Sequence, residues 1–102
     1  MTTQQRQGDV LMVPAELPAG AVQVKTQGDV ILAYGEVTGH AHRIKESAKV
    51  RMWSAGAERF LQVMKTVALT HEEHTTVNIP PGVYKLPAQV EYTPQELKRV
   101  AD

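Results

Sequence analysis

The chain has 102 residues, 11 acidic and 11 basic side chains, and no cysteine. That length fits one domain with a modest core, and the even charge balance argues against electrostatic capture of nucleic acid or an anionic membrane. Without cysteine there can be no disulfide, thiolate metal site or thiol nucleophile, so any metal would rest on nitrogen and oxygen ligands.

Residues 1 to 7 are polar, lack the apolar run of a signal peptide, and read as a disordered N-terminal tail. No segment reaches the roughly 18 apolar residues of a membrane span, so a cytoplasmic protein without membrane partners is expected. Residues 8–102 read as a single β-rich domain. Gly8-Asp9 opens the apolar run Val10 to Val13, which Pro14 ends by withdrawing a ladder donor. Pro18-Ala19-Gly20 turns the chain into 21–25, and Gln27-Gly28-Asp29 opens 30–34. The tetrapeptide Gln-Gly-Asp-Val thus occurs at 7–10 and again at 27–30, and reads as two copies of one strand-opening turn.

Lys49 to Trp53 alternates polar and apolar, with Trp53 expected in the core. The run from Arg59 to Thr70 reads as the longest strand. Leu61, Val63, Val67 and Leu69 make one apolar stripe, interrupted by Lys65. Residues 75–79 read as extended, Pro80-Pro81-Gly82 as a turn into 83–86, and 89–92 as a last short strand. Thr93-Pro94-Gln95-Glu96 has the form of a capping box with proline at the first helical position, so a short helix is expected at about 94–101. The expected fold is all-β, a small barrel or sandwich closed by that helix.

All four histidines fall in two pairs, His40/His42 and His71/His74, and neutral imidazole is the commonest protein metal ligand. On a strand, residues i and i+2 share a face, so His40 and His42 would point the same way and could share an ion. His71-Glu72-Glu73-His74 has neither the spacing nor the helical setting of a zinc-protease motif. On a continuous strand its histidines would face opposite sides. Either a turn brings His71 and His74 together, or one of them is a ligand and a glutamate joins it. Taken singly, the first block is as much at home on a solvated strand, and the second reads rather as an ordinary charged hairpin tip. Taken together, they point to one site for a divalent metal (zinc, iron, manganese or nickel), with Glu72 or Glu73 as general base or fourth ligand. Tyr84, Gln89, Glu91 and Tyr92 are candidates for the lining of a pocket.

The blocks Gly35 to Arg43, His71 to His74, Gly82-Val83-Tyr84 and Gln89 to Tyr92 resemble those of a family of small bacterial and phage proteins of uncharacterised activity. A second, partial resemblance is to cupins. Gly35, His40, His42 and Glu46 are similar to the first cupin motif, which implies a small β-barrel and makes His40, His42 and Glu46 metal ligands. The order departs from that family after this point, because His71 and His74 precede the Pro-Pro-Gly turn.

Two functions follow as expectations. The first is a metal-binding β-domain acting on a small-molecule substrate. The second is a non-enzymatic homo-oligomer whose histidines sit at an interface, holding a structural metal or responding to pH.

Overall fold

A computed structural model describes residues 3–8, 10–34 and 39–86. Ten strands run through them: β1 (Gln5–Gln7), β2 (Val10–Pro14), β3 (Val22–Val24), β4 (Val30–Tyr34) and β5 (Ala41–Ile44), then β6 (Val50–Ala55), β7 (Glu58–Val63), β8 (Val67–Thr70), β9 (Val77–Ile79) and β10 (Gly82–Leu86). A single 3-10 turn, Ser47–Lys49, joins β5 to β6. The strands form a six-stranded sheet in the order β1-β2-β10-β7-β6-β3 and a four-stranded sheet in the order β4-β5-β8-β9. Every pairing is antiparallel. Neither sheet closes on itself, so of the two expected architectures the fold is a sandwich. No helix among the described residues is long and apolar enough to cross a membrane.

The core lies between the sheets. Met12, Leu61 and Tyr84 come from the larger sheet and Leu32, Ile44, Leu69 and Ile79 from the smaller, all nearly inaccessible to solvent. Strand alternation explains the selection, since one face of each sheet is buried and the other wetted. The stripe Leu61, Val63, Val67 and Leu69 is buried as expected. However, the single long strand over 59–70 is two strands in different sheets. Met64, Lys65 and Thr66 are exposed between them, and the Met64 N–H donates to Lys49 O at 2.8 Å. Lys65, which interrupts the stripe in sequence, marks the crossing.

Two further expectations change. The tail read over residues 1 to 7 does not extend through Gln5–Gln7, which form β1 and pair with β2. Trp53 is half-buried and not fully in the core, with Nε1 donating to Gln62 at 3.0 Å. The strand expected at 89–92 and the helix expected at about 94–101 lie outside the described residues.

The pairing of β4 with β5 shifts register between Ile31 and Ala33, opposite Arg43 and His42. Arg59 reaches across from β7 to donate to the carbonyls of Ile31 and Leu32, each at 3.3 Å, satisfying backbone that the bulge releases. This irregularity lies opposite the middle of β5, against His42 of the first histidine pair.

Candidate metal centre

His40 lies just before β5 and is half-buried, while His42 is on β5 and only 5% exposed. His71 and His74 follow the end of β8, where the chain bends at residues 72–74 on its way to β9. Of the two alternatives the sequence leaves open, the structure therefore has the turn. Antiparallel pairing of β5 with β8, Arg43 opposite Thr70, brings the end of one strand beside the start of the other. The two histidine blocks meet there. Ring centroids are 4.3 Å apart for His42 and His71, 4.6 Å for His71 and His74, 5.6 Å for His42 and His74, and 5.8 Å for His40 and His71. His71 is the hub, and both members of the first pair reach it.

The six-stranded sheet contributes through β1. Gln7 is 2% exposed, and its side-chain nitrogen donates to Leu69 O at 2.8 Å and Thr75 O at 2.9 Å. Its oxygen faces Nδ1 of His42 at 2.8 Å. Next to it, Gly8 has φ of +56°, and a Cβ built there would stand 2.6 Å from Nε2 of His74. One dipeptide thus touches a histidine from each block.

The carboxylates are placed differently from one another. Glu72 accepts from the Ala41 N–H at 2.9 Å and from Arg43 at 3.2 Å, so it clamps the bend to the start of β5. The Ala41 N–H bond, helped by the Arg43 cation, holds the Glu72 carboxyl below its ordinary range. Arg43 also lies 3.7 Å from Asp29 and donates to Gly39 O, which fixes the clamp in place. Glu73 projects outward with its side chain 63% exposed, 3.6 Å from Nδ1 of His40. Its backbone N–H donates to Nδ1 of His71 at 3.0 Å.

Two sets of ligand atoms lie within 4.8 Å of one another: His42, His71 and His74, and separately His40, His71 and Glu72. Chemistry favours the first. A cation in the second set would compete for Glu72 with the Ala41 N–H and would face the guanidinium of Arg43. In the three-histidine set, by contrast, the Nδ1 bond of His42 to Gln7 is the kind of outer-shell contact that orients a ligating imidazole.

Other candidates from the sequence fall away from this centre. Glu46, a ligand by the cupin-like motif, accepts from Lys49 at 2.6 Å and from the Ala68 N–H at 3.3 Å, and belongs to neither set. It ties the 3-10 turn to β8. Tyr84 is fully buried in the core, and its hydroxyl donates to Pro80 O at 2.8 Å. Burial pushes its phenol up from the ordinary value. Gln89, Glu91 and Tyr92 lie outside the described residues. Sequence reasoning missed Gln7 and Gly8, although the repeated Gln-Gly-Asp-Val had drawn notice to them as a turn.

Fold and site together define a small antiparallel β-sandwich with a four-histidine cluster where β1, β5 and the β8–β9 bend converge. The chain belongs to the family described as Domain of unknown function (DUF8820), whose model matches residues 6–89. That span contains Gln7, Gly8 and all four histidines. No curated protein and no solved structure matches the chain.

Proposed function

We propose that this protein binds one divalent metal ion through His42, His71 and His74, and that the ion serves small-molecule chemistry. The observation that carries the reading is the gathering of three imidazole ligand atoms within 4.8 Å of one another, from two blocks distant in sequence. A tetrahedral ion bound at about 2.0–2.1 Å to each nitrogen needs those atoms about 3.3 Å apart, a modest closing of the cluster. An all-nitrogen set suits zinc, nickel, cobalt or iron better than magnesium or calcium. Three protein ligands would leave a fourth position for water or substrate, and a metal held there would supply acidified water. With Glu72 held by the clamp, Glu73, exposed beside His40, is the carboxylate that would be left to act as a base. His40, facing Glu73, would stay outside that ligand set.

Cobalt titration of the untagged protein tests this directly. A visible absorption band of tetrahedral Co2+, saturating near one equivalent and lost in His74→Ala, is the expected result. No band, together with no Zn2+ binding, would sink the reading.

A second reading, a homo-oligomeric assembly protein, draws support from edge strand β3. Val22 and Val24 are 65% and 42% exposed there although their pairing partners Ser54 and Met52 place them on the core-facing side of the sheet. This strand lies at the opposite edge of the sheet from β1, so the association it favours would not be built on the histidines. Sedimentation tests it: a mass above one chain that Zn2+ leaves unchanged is expected of an edge-strand assembly, and a single-chain mass with and without Zn2+ would sink it.

A further inference from the structure

We propose that Gln7 and Gly8 are positioning residues that pre-arrange two of the three metal ligands, Gln7 by fixing the tautomer of His42 and Gly8 by seating the ring of His74. The proposal rests on the metal-binding reading above and deepens it.

A primary amide has two hydrogens on nitrogen and acceptor capacity only on oxygen. Both Gln7 hydrogens are spent on backbone carbonyls, those of Leu69 and Thr75. Rotating the amide by half a turn would set its oxygen against two carbonyl oxygens, so the orientation is fixed by the network. The Gln7 oxygen must then accept, and the hydrogen it accepts is on Nδ1 of His42. Neutral His42 therefore carries its proton on Nδ1 and its lone pair on Nε2. That is the arrangement a ligating histidine needs, and here a glutamine enforces it before any ion arrives.

Gly8 acts on the other ligand. Its positive φ belongs to the turn, as the equivalent Gly28 shows with φ of +66° in the second Gln-Gly-Asp-Val. A Cβ at Gly28 would meet nothing within 4 Å, whereas one at Gly8 would strike His74 at 2.6 Å from Nε2 and 2.9 Å from Cε1. The turn accounts for the conformation, and the ring of His74 accounts for the missing side chain. His74 is itself exposed, so a methyl group at Gly8 would displace the imidazole and leave the fold standing.

The experiment compares Zn2+ affinity, by competition with a chromophoric chelator, in the parent, Gly8→Ala, Gly28→Ala, His74→Ala and Gly8→Ala/His74→Ala. Gly28→Ala carries the same backbone strain without the neighbour, and is expected to bind as the parent does. Gly8→Ala is expected to lose about 10–100-fold, the usual effect of disturbing the support of a metal ligand. The double variant is expected to bind no more weakly than His74→Ala alone, because both changes remove the same ligand. Parent-like binding by Gly8→Ala, or losses that simply add in the double variant, would overturn the proposal. Nitrogen-15 NMR of the metal-free parent checks Gln7 without any substitution. A proton on Nδ1 of His42 is expected, and one on Nε2 contradicts the assignment. A parent that binds no Zn2+ defeats the metal-binding reading itself, a result distinct from any of these.

Discussion

The backbone N–H of Glu73 donates to Nδ1 of His71 at 3.0 Å, so the single lone pair of the neutral ring is already engaged. A metal at Nδ1 would displace that N–H. A metal at Nε2 would need the ring proton moved to Nδ1, where it would oppose the same N–H. Coordination by neutral His71 therefore breaks this bond at either nitrogen, and His71 is the ligand that must be recruited. Zn2+ is expected to shift the Glu73 amide resonance strongly and to switch the nitrogen-15 pattern of His71, with smaller changes at Ala41, which the Glu72 clamp holds. An unmoved Glu73 amide in a zinc-saturated protein would contradict His71 as ligand.

His42 and His74 should separate stability from binding. His42 is 5% exposed and supplies the partner of the Gln7 oxygen. His42→Ala leaves that buried acceptor without its donor, at a cost of about 1–3 kcal/mol. His74 is exposed, so His74→Ala should stay within about 0.5 kcal/mol of the parent. Urea unfolding of the metal-free proteins checks the difference, and both variants are expected to lose the ion.

The strands were largely legible because their alternation is local. The stripe over 61–69 is buried as its period of two implies, and β2, β4, β6 and β10 begin at or next to the residues where apolar runs or turns place them. Inside that stripe only Lys65 hinted at the crossing, since Val67 comes four positions after Val63 and an even spacing keeps the alternation in phase. Nor was β1: Gln5-Arg6-Gln7 has no apolar pattern, and Gln7 is buried for its hydrogen bonds. The histidine pairs could be named from sequence, but their meeting depends on the β5–β8 pairing. Glu46 misled for the opposite reason, as a motif position engaged by Lys49 and the Ala68 N–H.

The Glu72 clamp has a pH signature. Its carboxyl titrates lower in the folded chain than in the unfolded one, chiefly through the Ala41 N–H bond. Such a group contributes stability above its unfolded pKa, and that contribution fades as pH falls through the depressed folded value. In the metal-free protein the Ala41 amide should keep its hydrogen-bonded shift down through the ordinary carboxylate range, near about 4.3, and lose it only below. Titration of that amide at or above the ordinary range would show the clamp to be absent.

Tyr84 distinguishes core from pocket. Tyr84→Phe removes the hydroxyl that satisfies Pro80 O and should cost about 1 kcal/mol in urea unfolding. Zn2+ affinity should not change, because Tyr84 belongs to neither ligand set. A loss of affinity would return Tyr84 to the site.

Elemental analysis of the untagged protein, purified without chelator and refolded with divalent ions, bears most directly on the central claim. It should be run beside His74→Ala, whose fold is expected to be intact. Close to one zinc, nickel, cobalt or iron per chain in the parent, and little in the variant, is the predicted result. A parent free of metal under replete conditions, or a variant that retains the full complement, would contradict a centre built on His42, His71 and His74.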